Sequence, residues 1–128
     1  MIIYACADLI FATKVRSTAE SLGIGTRPTR DEAALAKRLD QVDDGKLNEP
    51  VAGLLVDLDL GEAGLALIRQ CKSHGTSPVV VAFGAHVNTA ILQGASDSGA
   101  DFVMPRGSFT ANLPDILTRL DQGDAVGE

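Results

Sequence analysis

Two runs decide most of what this chain can fold into: VAGLLV at residues 51–56 and PVVVAF at residues 78–83. Successive side chains of a β-strand point to opposite faces of its sheet. A run that is apolar at nearly every position therefore needs cover on both faces, which selects a parallel sheet with helices above and below. A sheet with one wetted face would alternate apolar with polar, and neither run does. The first run breaks abruptly onto Asp57-Leu58-Asp59, so a buried strand delivers charge to the rim of its sheet.

The rest of the chain supplies the partners these strands need. Ile2 to Ala7 reads as a short buried strand ending at Asp8, and Asp101 to Met104 as a last short one. Phe11, Val15, Thr18, Ala19 and Leu22 recur at helical spacing, and Gly23 and Gly25 stop that helix. A weak strand over Ile24 to Arg27 precedes Pro28. Thr29-Arg30-Asp31-Glu32 matches a capping box, with Thr29 as the capping residue. Its helix turns Ala34, Leu35, Ala36, Leu39 and Val42 inward and dissolves at Asp43-Asp44-Gly45. Leu65, Leu67, Ile68 and Cys71 mark the next helix, Val87 to Ser98 a weaker one. Leu113, Ile116, Leu117 and Leu120 mark the last, with Pro114 tolerated in its first turn. Five strands alternating with five helices, joined by right-handed crossovers, give a three-layer α/β/α sheet of the flavodoxin-like kind. One domain over residues 1–122 is expected, followed by a frayed tail at 123–128.

Composition removes several classes of function. Seventeen acidic residues against eleven basic ones leave a net charge of −6, which disfavours a phosphate backbone as partner. Aromatics are 4% of the chain with no Trp, too few for a surface that stacks bases. The apolar start MIIYACADLIFATKV has no basic segment before it and is broken by Asp8, unlike a secretion signal. No run is long enough to span a bilayer. A cytoplasmic protein that binds neither nucleic acid nor membrane is expected. Cys6 and Cys71 have no metal-ligand spacing and read as small buried thiols.

In an open parallel sheet the functional site lies beyond the carboxyl ends of the strands, where strand order reverses. Asp8, Asp57, Asp59, Gly84, His86, Pro105 and Arg106 all fall on that rim. With GLLVDLDL and Gly64 after it, PVVVAFGA in the middle and GADFVMPR near the end, the chain resembles the receiver (CheY-like) domain of bacterial two-component response regulators. The resemblance runs over nearly the whole length and implies a phosphorelay role, with Asp57 as the phosphoacceptor candidate.

Receivers need more than one carboxylate, because moving a phosphoryl group onto aspartate crowds negative charge that Mg²⁺ must neutralise through oxygen ligands. The resemblance places the metal-binding acidic pair on Cys6 and Ala7, neither of which has a side-chain oxygen. Asp8 comes one place late, which leaves Asp8 and Asp57 as the residues a metal could use. The strand-end hydroxyl of receivers falls on Phe83, and the lysine after the fifth strand falls on Arg106, or on Met104 or Pro105. Asp59 reads as a loop charge and His86 as a rim histidine open to a binding role. Arg106 could receive an anion or pair with Asp57 or Asp59, the ion pair being the favoured reading. Asp57-Leu58-Asp59 also looks like the nucleophile motif of haloacid dehalogenase-like phosphatases, but the Ser or Thr and the Lys that chemistry wants are missing from the later strand ends. No G-x-G-x-x-G follows the first strand.

The expected protein is therefore a degenerate receiver, a pseudo-receiver that is not an enzyme, takes no cofactor and works by protein–protein recognition. Its partners would be other signalling proteins, or a second copy through the fourth helix, fifth strand and fifth helix, with Val87, Ile91, Phe102, Phe109 and Leu113 on that face. No output domain is visible, so its effect would pass through a separate protein, unless the chain is a piece of a longer one. The alternative is a working receiver in which Asp57, with Mg²⁺, is a two-state switch.

Overall fold

The computed structural model describes residues 1–43, 46, 47 and 49–123. In chain order its elements are β1 (Ile2–Ala5), α1 (Leu9–Ser21), β2 (Thr26–Pro28), α2 (Glu32–Leu39), β3 (Val42–Asp43), β4 (Lys46–Leu47) and β5 (Gly53–Asp57). There follow α3 (Glu62–Ser73), β6 (Val79–Gly84), α4 (Thr89–Asp97), β7 (Phe102–Pro105), α5 (Arg106–Ala111) and α6 (Leu113–Gln122). Five strands make one all-parallel sheet in the order β2-β1-β5-β6-β7. The order reverses at β1, so the switch point lies between β1 and β5.

The two apolar runs become the two central strands, for the reason that made them apolar. β5 is buried at every position and β6 at every position after Val79. Ile2, Tyr4, Leu55, Val81 and Phe83 face one core, where α1, α5 and α6 bring Val15, Ala19, Phe109 and Leu117. Ile3, Ala5, Leu54, Val56, Val80 and Ala82 face the other, covered by Leu35, Leu39, Ile68, Cys71 and Ala95. Each fully buried Leu or Ile contributes about 1.5–3 kcal/mol of transfer free energy. Gly64 lets α3 lie tight on β5: a Cβ there would stand 3.2 Å from Val56 Cγ1.

Several local expectations are corrected. Thr29 is not the cap of α2; its hydroxyl donates to the Asp31 carbonyl, while the Asp31 carboxylate accepts from Ala34 N–H at 2.8 Å. The second strand shifts to Thr26–Pro28, where Pro28 is tolerated because β2 is an edge. α2 stops at Leu39, and Gln41 at φ 61° turns the chain, leaving Val42 exposed in the antiparallel β3–β4 pair. α4 begins only after its cap Asn88, so Val87 lies outside it. The last expected helix is present as α6, with Pro114 in its first turn, and a short helix that was not expected, α5, precedes it with Asn112 between them. Asp44, Gly45 and residues 124–128, including most of the expected tail, lie outside the described residues.

Asp8 is the N-cap of α1, and its carboxylate accepts the Phe11 N–H at 2.7 Å. Asp8→Ala should lower unfolding free energy by about 1 kcal/mol, and Asp8→Asn by no more than a few tenths. Urea denaturation of both variants checks this; equal losses would mean that the carboxylate's charge, rather than its capping bond, is what matters.

Candidate functional site

β5 carries Asp57 to the rim but keeps it inside: the residue is 0% exposed. An ionised carboxylate so placed must have its oxygens satisfied. Oδ2 accepts the Ala7 N–H at 3.0 Å, from the loop leaving β1. Oδ1 accepts the Asp59 N–H at 3.0 Å and Arg106 Nη2 at 2.9 Å. Arg106 opens α5 directly after β7, two places along the sheet from β5, so the carboxyl ends of these two strands deliver the acid and the base to one point. The same Nη2 lies 2.8 Å from Asp59 Oδ2, and a single guanidinium nitrogen thus bridges a buried carboxylate and an exposed one.

An aromatic stack closes the side of this ion pair. Phe83 and Phe109 lie nearly parallel with centroids 3.9 Å apart, and Phe11 stacks on Phe83 at 5.0 Å. The Arg106 Cζ stands 5.3 Å from the Phe11 ring centre and 5.8 Å from that of Phe83. Cation–π attraction of this kind adds about 0.5–2 kcal/mol, more as water is excluded.

The other expected site residues divide clearly. Asp8 is committed to capping α1. His86 is exposed beyond β6 and makes no hydrogen bond or ion pair with the described residues. Cys6 is half-buried at the rim rather than in the core, while Cys71 is buried. Of the expected interaction face, Phe109 and Leu113 are core residues, 0% and 1% exposed, and so are unable to meet a partner. Val87 is exposed, with Ile91 and Phe102 half-buried. Phe11 and the Ala7 N–H belong to the site and went unnoticed in the sequence. A backbone donor leaves no trace in residue identity, and Phe11 read as one member of a helical stripe.

Mg²⁺, which the fold family implies, does not fit the residues present. The rim offers Cys6 and Ala7 where oxygen donors are needed, and Arg106 already holds the space between Asp57 and Asp59 with positive charge. Among the described residues no group of three or more His, Cys, Asp or Glu could hold a metal ion.

No protein-family model matches the sequence, and no curated protein matches it. The structure is similar to solved structures of response regulators. One is a response regulator from Thermotoga maritima, 17% identical, TM-score 0.72, over 94% of this chain and 96% of that one. Another is the isolated REC domain of RcsB from Salmonella enterica serovar Typhimurium in the apo form, 24% identical, TM-score 0.69, over 96% and 88%. A third is the phosphorylated cyanobacterial phytochrome response regulator RcpA, 14% identical, TM-score 0.75, over 99% and 98%. These likenesses show the fold, which is the CheY-like receiver fold. No described helix is long and apolar enough to cross a membrane.

Arg106→Ala leaves the Asp57 carboxylate buried without its cation. It should cost about 3 kcal/mol, the low end for a broken buried pair because water reaches the arginine side. Arg106→Lys should recover only part, since an ammonium lacks the planar fork. Urea denaturation reads both; an alanine variant as stable as the parent would show that the pair contributes nothing. A second prediction concerns the thiols. Burial, then the Asp57 and Asp8 carboxylates, push Cys6 from 9.0 up to about 12, against a lowering by Arg106. Burial likewise pushes Cys71 to about 12. The folded state therefore favours the neutral thiols, and their contribution is intact below pH 9 and lost as pH rises toward 12. Stability of Cys6→Ala measured across that window should fall less steeply than that of the parent.

Proposed function

We propose that this chain is a degenerate receiver-like signalling domain that works by protein–protein recognition and is not an efficient phosphoacceptor. The observation carrying this reading is the Arg106 Nη2 bridge between Asp57 and Asp59, at 2.9 and 2.8 Å. Phosphoryl transfer to a carboxylate needs an oxygen open to in-line attack and a cation on the incoming phosphate. Both Asp57 oxygens already accept hydrogen bonds, and the carboxylate has no exposed surface. Phe83, buried and stacked, stands where receivers offer a hydroxyl. With the Mg²⁺ donors absent as well, each part that lowers the barrier is replaced by one that holds a single packed arrangement.

In this reading the domain acts in the cytoplasm without catalysis of its own and takes no metal cofactor. Its partners are other signalling proteins, and a second copy is one of them. The face around α4 and β7 retains Val87, Ile91 and Phe102 as apolar contacts. The competing reading, a two-state switch driven by phosphorylated Asp57, requires Arg106 to leave and the carboxylate to surface.

Incubation with acetyl phosphate and Mg²⁺, followed by intact-mass measurement, separates the two. The parent chain should stay unmodified, and Mg²⁺ alone should give no protection against unfolding. A stoichiometric gain of one phosphoryl group, lost in Asp57→Asn, would overturn the proposal.

A further inference from the structure

α1 opens by turning two large aliphatic side chains to solvent. Leu9 is 77% exposed and Ile10 86%, the two most exposed large hydrophobic residues among those described. Apolar residues scattered singly over a surface are ordinary. Leu22, Val42 and Val87 are of that kind, at a helix end, in a two-residue strand and in a loop. Leu9 and Ile10 are adjacent and stand on one helix. We propose that the outer face of α1 docks an amphipathic helix of a partner protein, one whose apolar stripe is bordered by acidic residues. The inference takes up the recognition role proposed above, and adds to it a face separate from that around α4 and β7.

Helical spacing assembles the face. Thr13 follows Leu9 and Lys14 follows Ile10 at i+4, while Arg16 and Ser17 follow Thr13 at i+3 and i+4. All six are exposed, and Val15 and Ala19 on the opposite side are buried. The Thr13 hydroxyl donates to the Leu9 carbonyl at 2.8 Å, so it asks nothing of a partner. The tip is also held in one arrangement before any partner arrives. Asp8 caps the helix, and Phe11 stacks on Phe83 and Phe109. A surface ordered in advance loses little conformational entropy on binding. A ridge of this kind packs into the groove of another helix. An extended peptide would need an open sheet edge, which a helix does not offer.

Charge selects the partner. Lys14 borders the stripe on the Ile10 side and Arg16 on the Leu9 side. Neither makes an ion pair with the described residues. Ala12, one turn before Arg16, lines a cleft with the exposed Arg30, which puts a third cation on that flank. Of the nearby acids, Asp8 is bonded to the Phe11 N–H, and Glu20 lies one turn beyond Arg16. In a chain of net charge −6 this is a local reversal of sign, complementary to acidic borders and repellent to basic ones. A second copy meeting face to face would set Lys14 and Arg16 against cations of its own. An anionic bilayer would meet the −6 charge, and two aliphatic residues fall short of the long apolar face of an interfacial helix.

The test is a ¹H–¹⁵N NMR titration of the whole chain at low ionic strength with a synthetic helical peptide, its leucines at i, i+3, i+4 and i+7 flanked by glutamates. The same peptide with lysines for the glutamates, and phosphatidylglycerol vesicles, are titrated alongside. The glutamate peptide should give saturable shifts in the amides of residues 8–17, weakening as salt is added. The lysine peptide should bind about tenfold more weakly, as like charges oppose it. Ile10→Ser, at an exposed position, should weaken the glutamate peptide about tenfold through the lost burial of one aliphatic side chain. Lys14→Glu should narrow the gap between the two peptides. Absence of saturable shifts at millimolar glutamate peptide would overturn the proposal, as would equal affinity for both peptides or affinity unchanged by Ile10→Ser. Vesicle binding or self-association that Ile10→Ser abolishes would overturn it too, by giving the face to a membrane or a second copy. Shifts centred on α4 and β7 would remove this face and leave the recognition role standing. Phosphorylation of Asp57 in the mass assay bears on the silent site and leaves this face untouched.

Discussion

A carboxylate with no exposed surface, at the end of the central strand, needs a cation and a full set of donors before the sheet can close over it. Arg106 supplies the first, and the Ala7 and Asp59 amides supply the rest. Taking two charges out of water costs several kcal/mol per ion, so such a pair holds only where its geometry is good. The consequence reaches beyond the pair. The bonds to Asp57 tie the loop after β1, the turn after β5 and the start of α5 to one atom group, which fixes the rim of the sheet across three of its five strands.

The aromatic stack extends that constraint into the core. Phe83 leaves β6 on the same face as Tyr4 and Leu55 and is covered by Phe109 from α5 and Phe11 from α1. Close-packed rings have few alternative arrangements at equal density, and the guanidinium lying against two of them is held from below as well as by its carboxylates. A switch needs two arrangements separated by only a few kcal/mol. Ion pair and stack both deepen a single one.

Which parts were legible in the sequence follows from how local their causes are. The doubly apolar runs announce a covered parallel sheet because burial on both faces is recorded residue by residue. The glycine stops and the Pro114 start are equally local, each a matter of one residue's permitted backbone angles. The cap of α2 was misread because Thr29 and Asp31 both satisfy the pattern, and only the path of the chain out of β2 decides which side chain reaches Ala34. The short helix α5 was invisible because Arg106–Ala111 carries a single buried apolar residue, Phe109, too few to show a helical period. Phe109 and Leu113 were assigned to a partner face because periodicity says which residues are apolar, not which of two neighbours will cover them.

The sequence alone determined the layer architecture and that Cys6, Ala7 and Phe83 bring no side-chain oxygen to the rim, a fact of side-chain chemistry. Tertiary structure decided where Arg106 went. Arg106 could have met solvent, an incoming anion or either aspartate. Only the register that sets Asp57 opposite Phe83, and β7 beside β6, brings the guanidinium within reach of both carboxylates. Pairing across forty-nine residues is a property of strand order, which residue identities constrain only through the core they must jointly fill.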